Sequence, residues 1–120
     1  MAHLLSEDKL PAKITQWKGL IEKYFLAEEV LNALNVIKEE SGGDPGAIGD
    51  AKPIRGLLAP SYGLFQIRAL EGRWTKEGYH SHQEFIDALI DPEQNIRITS
   101  NIVKRHGWKS WSGARKIGLL

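Results

Sequence analysis

Two adjacent carboxylic acids stand where the sequence could use one of them as a proton donor. Glu39 and Glu40 end a segment of helical spacing, and at about 100° per residue their side chains point in different directions. Glu40 falls on the arc formed by the apolar residues Val30, Ala33, Leu34, Val36 and Ile37. Glu39 falls on the opposite side with Asn32 and Asn35, which we predict to face solvent. Apolar surroundings raise the pKa of a carboxyl group, as a general acid near neutral pH requires, so we predict that role for Glu40.

A single glutamate at a helix end also has a plainer interpretation. Glu40 could lie partly exposed in a fraying last turn, or pair with a nearby lysine. The glycines that follow it, Gly42 and Gly43, would leave this end of the helix open to a ligand. Taken alone, the pattern does not decide between these alternatives.

Two short motifs, in order along the chain, resemble the lysozyme superfamily. Glu40 begins the run Glu-Ser-Gly-Gly-Asp-Pro-Gly-Ala-Ile, and Ser61 begins the run Ser-Tyr-Gly-Leu-Phe-Gln-Ile. Both are similar to motifs of lytic transglycosylases and of phage and bacterial lysozyme-like domains. The resemblance extends upstream through residues 17–24 and downstream through the runs that begin at Asp91 and Trp108. It therefore covers most of the chain.

The resemblance implies an enzyme that cleaves the β-1,4 bond between N-acetylmuramic acid and N-acetylglucosamine in bacterial peptidoglycan. It assigns Glu40 as the acid that protonates the glycosidic oxygen, without a metal or other cofactor. Aromatic faces stack on sugar rings, so Trp111 is a candidate for the cleft although a core position is the plainer alternative. The candidate substrate-binding residues are Ser41, Ser61, Tyr62, Gly63, Gln66 and Trp111.

Two departures from the family pattern bear on the product. Ser61 stands where animal-type lysozymes carry the second carboxylate of a retaining pair. The resemblance then leaves two schemes: transglycosylation by one glutamate acting first as acid and then as base, or hydrolysis by a water that Asp50 or, less well, Asp44 would hold. Asp50 could equally be a plain loop residue. Ile102 stands near the place where many lytic transglycosylases carry a tyrosine, which weakens that subtype.

The remaining pattern predicts a mainly α fold of the α+β lysozyme-like kind. We expect helices over about 12–25, 28–41, 83–90 and 91–107, with Asp91 as an N-cap and Pro92 in the first turn. Residues 44–62 predict an irregular loop or short hairpin that forms one wall of a cleft, and residues 62–67 fit either a helix start or a strand. Residues 1–11 are expected to be a loose arm, and residues 12–120 a single catalytic domain.

Composition excludes several other classes of protein. The chain has 120 residues, is 42% hydrophobic and 26% charged, contains no cysteine, and has a net charge of +1, which is too small for a nucleic-acid partner. His80 and His82 lack the further ligands that zinc would need. The start has no signal-peptide pattern and no run could span a bilayer, so we expect the protein to reach the bacterial cell wall by another route or as part of a larger chain. We also expect it to be a monomer.

A second class of function remains open at this point. The same fold could serve as a non-catalytic peptidoglycan-binding module or as a structural segment of a phage tail. Glu40 together with Gln66 favours the enzyme, because a module that only binds glycan has no need of an acid among apolar neighbours.

Overall fold

The computed structural model describes residues 4–49, 53–54, 57–58, 60–70 and 72–120, and within these ranges the chain is mainly helical. The helices are α1 Ala12–Thr15, α2 Lys18–Tyr24, α3 Val30–Glu40, α4 Arg73–Lys76, α5 His82–Leu89, α6 Pro92–His106 and α7 Ser112–Lys116, with 3-10 turns at Glu7–Lys9 and Ala27–Glu29. Strands β1 Pro53–Ile54 and β2 Leu57–Leu58 form one antiparallel pair, and β3 Ser61–Tyr62 and β4 Ile67–Arg68 form another. The predicted α+β class with a small hairpin region is confirmed.

Helix α3 is the central element of the fold. Its apolar arc is fully buried, and the helix contacts α1, α2 and α7. The end of α3 is fixed by Gly42 and Gly43, whose φ angles of 65° and 90° lie in the left-handed region that favours glycine. At Gly43 a Cβ atom would also lie 2.4 Å from the carbonyl oxygen of Lys13, so there is no space for a side chain at this position.

The two glutamates of α3 face the predicted sides of the helix, but the prediction that Asn35 faces solvent is wrong. Glu39 is exposed and Glu40 is half-buried, whereas Asn35 is 1% exposed instead of facing solvent. Its side chain accepts a hydrogen bond from the backbone N–H of Leu5 and donates one to the carbonyl oxygen of the same residue. A buried amide is tolerated because both of its polar ends are satisfied.

These bonds also correct the expected loose arm over residues 1–11. From Leu4 onward the arm is described. The backbone N–H and carbonyl oxygen of Leu5 form hydrogen bonds of 2.8 and 2.9 Å with the side chain of Asn35. Leu10 is 7% exposed and belongs to the hydrophobic core. The described part of the arm therefore packs on the domain, because its leucines supply apolar surface that helical periodicity did not reveal.

The helix predicted over residues 12–25 is two helices that meet at Gln16 and Trp17. The break lets the indole N–H of Trp17 donate a 3.1 Å hydrogen bond to the carbonyl oxygen of Gly43. This contact ties the first helical segment to the turn that follows α3. It thereby fixes the backbone immediately after the two glutamates.

Residues 62–67, for which helix and strand were both open, form a strand, a turn and a strand. Asn95, in the first turn of α6, is fully buried and holds this turn. Its side chain accepts from the N–H of Phe65 and donates to the carbonyl oxygens of Tyr62 and Leu89, at 2.9 to 3.0 Å. The start of α6 is itself fixed as predicted, since the Asp91 side chain accepts from the N–H of Gln94.

A cluster of aromatic rings joins the C-terminal segment to the rest of the core. Phe25 and Trp108 stack with ring centroids 5.9 Å apart, and Phe65 lies 6.1 Å from Trp108 and 6.5 Å from Trp111. This packing places α7 beside the end of α3. In the described part of the chain, no helix is long and apolar enough to cross a membrane.

Candidate active site

Glu40 is held between the end of α3 and the start of α7. Its Oε2 accepts a 2.8 Å hydrogen bond from the backbone N–H of Gly113, and the side chain lines a cleft on the protein surface. Within the described ranges, no group donates a hydrogen bond to Oε1 of Glu40. One oxygen is therefore anchored, and the other has no fixed partner among these residues.

The surroundings of Glu40 raise the pKa of its carboxyl group. The largest cause is burial, which disfavours the charged form. The Gly113 N–H and the positive charge of Lys116 act in the opposite direction, and the negative charge of Glu39 adds a small further increase. The balance favours a protonated acid at a higher pH than for a free glutamate, as the helical phase of the sequence predicted.

Glu39 has none of these properties. Its side chain is exposed and pairs with Lys38 at 3.2 Å, a surface ion pair of the kind that contributes little to stability. The two neighbours in sequence thus have opposite environments. Glu39 therefore serves as an internal control for any test of Glu40.

Gly113 can approach Glu40 only because it has no side chain. A Cβ atom on Gly113 would lie 2.6 Å from Oε2 of Glu40 and 2.9 Å from the Cβ of Glu39. Both distances are shorter than real Cβ contacts allow. Its φ is not in the left-handed region, so space, and not backbone conformation, requires glycine here.

The cleft beside Glu40 has a volume of about 180 Å³. Four of its lining residues are among those the sequence singled out: Glu40, Ser61, Gln66 and Trp111. The described residues that sequence reasoning did not place there as ligand contacts are Ile67, Arg68, Arg73, Ile102, Ser110 and Ser112.

Gln66 shapes the cleft through its side-chain amide and an unusual backbone. It has a φ of 51°, and its amide nitrogen donates to the carbonyl oxygens of Ala47 and Gly63 at 3.0 Å each. Gly49 packs so closely over this side chain that a Cβ there would lie 2.4 Å from Oε1 of Gln66. Strained backbone of this kind is often found at functional sites, and here it locks the loop after α3 against β3.

Trp111 belongs to both the core and the cleft. It is 5% exposed, and its indole N–H donates a 2.7 Å hydrogen bond to the carbonyl oxygen of Phe65. The ring packs against Trp108 in a T-shaped contact, with ring centroids 5.4 Å apart. Because only 5% of Trp111 is exposed, little of its ring surface is left for stacking on a sugar.

Three predicted substrate contacts do not line the cleft within the described ranges. The hydroxyl of Ser41 donates to the carbonyl oxygen of Ile37 and accepts from the N–H of Gly43, so it closes the end of α3. Tyr62 uses its carbonyl oxygen for Asn95. Gly63 is buried with a φ of 82°, and a Cβ there would lie 2.1 Å from the carbonyl oxygen of Leu89. These three residues therefore make contacts that hold the backbone near the cleft in place.

Two further sequence predictions have different outcomes. Asp50, the candidate second carboxylate, lies outside the described residues. Ile102, which stands near the expected tyrosine, does line the cleft. Ser110 and Ser112 flank Trp111 in the Trp-rich run and could have been suspected from that run, whereas nothing local in the sequence points to Arg73.

Comparisons with known proteins agree with the fold. The family model of the lysozyme-like domain matches residues 22–113. Three solved chains match the fold, and one of them, a mutant of Bd0314 DslA, superimposes with a TM-score of 0.51 at 21% identity, covering 99% of this chain and 86% of that chain. At this identity the likeness concerns the fold alone. A comparison with curated proteins finds no significant match.

Proposed function

The chain belongs to the lysozyme-like domain family, and on that premise we propose that it cleaves bacterial peptidoglycan between N-acetylmuramic acid and N-acetylglucosamine. The observation that carries the proposal is the state of Glu40. It is half-buried at the cleft with a raised pKa, and it is anchored through one oxygen by Gly113. These features support the role of a general acid, which must hold its proton until a glycosidic oxygen approaches.

Gly113 has a defined part in the proposed reaction. When Glu40 gives its proton to the leaving oxygen of N-acetylglucosamine, a negative charge develops on a half-buried carboxyl group. The N–H of Gly113 already points at Oε2 and stabilises that charge without rearrangement. The same hydrogen bond keeps the carboxyl group in position to act as a base in the next step.

We propose that the second step is attack by the 6-hydroxyl of the muramoyl residue on its own anomeric carbon. The C–O bond to N-acetylglucosamine breaks as Glu40 delivers its proton in the first step; in the second step the new C–O bond closes a 1,6-anhydro ring, and the hydroxyl proton passes to the Glu40 carboxylate. No water is consumed. Glu40 is the sole carboxylate among the described residues that line the cleft, and Ser61 stands at the place of a second one, which supports a scheme with a single acid.

The hydrolytic alternative needs a carboxylate that holds a water, and Asp50 is the candidate. Digestion of purified peptidoglycan in H₂¹⁸O, followed by mass analysis of the muropeptides, separates the two schemes. Unlabelled anhydro ends are expected. Labelled reducing ends that disappear in Asp50→Asn would establish hydrolysis instead. Strands that are bound but not cut would establish a binding module on the same fold.

The place of action follows from the substrate. A protein that cleaves peptidoglycan must act at the bacterial cell wall, so the proposed activity carries this location with it. The slightly positive net charge of +1 is compatible with an anionic wall. We propose that the domain acts as a monomer.

A further inference from the structure

A second, larger groove opens beside the Glu40 cleft. Its volume is about 660 Å³, and it shares the lining residues Arg73, Ile102 and Ser110 with the cleft. A ligand seated at Glu40 can therefore extend from one into the other without leaving the protein surface.

The groove carries a concentration of positive charge that the chain as a whole does not have. The described residues that line it include the cations Arg73, Lys76 and Arg105, although the net charge of the chain is only +1. Glu77 offsets part of this charge. Its side chain is 3% exposed and pairs with Arg105 at 2.8 Å. Because the carboxylate is buried beneath Arg105, it does not present an acidic surface to a ligand.

Two of the cations, Arg73 and Lys76, form no direct ion pair with a carboxylate within the described ranges, although the charge of Glu77 acts on Arg73. Lys76 is exposed at the end of α4 and forms no ion pair there. Arg73 lies at the junction of groove and cleft, where its described hydrogen bond goes to the carbonyl oxygen of Arg68 at 3.3 Å. Burial lowers the pKa of Arg73, but a guanidinium keeps its charge in proteins, and a partly buried cation gains most from an anionic partner.

We propose that this basic groove binds the carboxylates of the peptide stem attached to the muramoyl residue that is cleaved. The inference rests on the proposed function and names the part of the substrate that lies outside the cleft. The stem is joined through a lactyl ether to the same sugar ring whose anomeric carbon reacts. It must therefore leave the cleft close to Glu40, and the groove begins there. Free carboxylates along the stem match the cations that form no direct ion pair, with Arg73 suited to bidentate binding.

Binding should be measured apart from cleavage. The probes are soluble glycan oligomers with their peptide stems intact and the same oligomers after an amidase has removed the stems. Calorimetric titration into the Glu40→Gln protein keeps both probes uncut. Tighter binding of the stem-bearing oligomer is expected, with a difference that shrinks as salt is added because the contacts are exposed charges.

The variant Lys76→Gln tests the groove without touching the cleft. An exposed charge contact contributes about 0.2–1 kcal/mol, so its loss should weaken binding of the stem-bearing oligomer about 1.5- to 5-fold and leave the stripped oligomer unchanged. Lys104→Gln is the matched control, since Lys104 is an exposed lysine on α6 that does not line the groove. The pair Arg105→Gln with Glu77→Gln removes a second cation without leaving a buried carboxylate alone.

The outcomes separate this inference from the proposed function. Equal affinity for the two oligomers, or an equal effect of Lys76→Gln and Lys104→Gln, would overturn stem recognition even if the wild-type protein cuts peptidoglycan. A preference for the stem that Lys76→Gln reduces would support it even if no cleavage occurs. In that case the proposed cleavage would be contradicted, while the proposed binding of the peptide stem would be supported.

Discussion

The backbone N–H of Gly113 donates a 2.8 Å hydrogen bond to Oε2 of Glu40 across 73 positions of the sequence. The contact joins the end of α3 to the first turn of α7. It anchors the acid in one orientation and supplies a donor for the charge that forms when the proton leaves.

Gly113→Ala should therefore impair activity while the fold is retained. The added Cβ would lie 2.6 Å from Oε2 of Glu40, so the carboxyl group must move. A displacement of about 1 Å in a reacting group can cost about 10²-fold in rate, and we expect a loss of that order in kcat on purified peptidoglycan.

Gly19→Ala is the matched control for this substitution. Gly19 lies within α2, and a Cβ there meets no atom within 4 Å. Alanine should leave activity unchanged and stabilise the helix by about 0.5–1 kcal/mol. Full activity in Gly113→Ala, with its circular dichroism unaltered, would show that the anchoring contact is dispensable.

The pH dependence of cleavage should have a basic limb that reports the proton on Glu40. Burial raises the pKa of this carboxyl group, so the acid keeps its proton above the ~4.3 of a free glutamate and loses it as pH rises through the raised value. Activity should fall in the same interval. A rate that keeps climbing well beyond neutral pH would contradict Glu40 as the donor.

Lys116 offers a directional test of that limb. Its positive charge lowers the pKa of Glu40, so Lys116→Gln should move the basic limb to higher pH. Lys109→Gln serves as the control, because Lys109 is an exposed lysine that does not act on this pKa. A basic limb at the same pH in the wild type and both variants would show that the limb does not report the pKa of Glu40.

Asn95→Ala should destabilise the fold more than any surface change. The substitution leaves the N–H of Phe65 and the carbonyl oxygens of Tyr62 and Leu89 without their partner in a buried site. We expect a loss on the order of 3 kcal/mol in the free energy of unfolding by urea. Asn32→Ala, which removes one half-buried bond to Glu29, should cost less than ~1 kcal/mol. Equal losses would show that the turn after β3 does not depend on Asn95.

Sequence reasoning succeeded where the relevant physics is local. The phase of one helix separates Glu40 from Glu39, and the caps of α6 lie within the residues they cap. It failed at Asn35, because the partner of that side chain is Leu5, in a segment without periodicity. Gly113 could not be found from the pattern around it, since its requirement for glycine comes from a side chain 73 positions away. The motif around Gly63 likewise does not show that Leu89 and Asn95 lie directly against this glycine.

The most direct measurement compares Glu40→Gln with Glu39→Gln in the release of muropeptides from purified peptidoglycan. Glutamine keeps the shape of either side chain but cannot deliver a proton. Glu40→Gln should lower the rate by at least ~10²-fold, with a melting temperature at neutral pH no lower than that of the wild type, because it removes a carboxylate whose ionisation burial disfavours. Glu39→Gln should release the same products at nearly the wild-type rate. Equal losses in the two variants, or an active Glu40→Gln protein, would contradict Glu40 as the general acid.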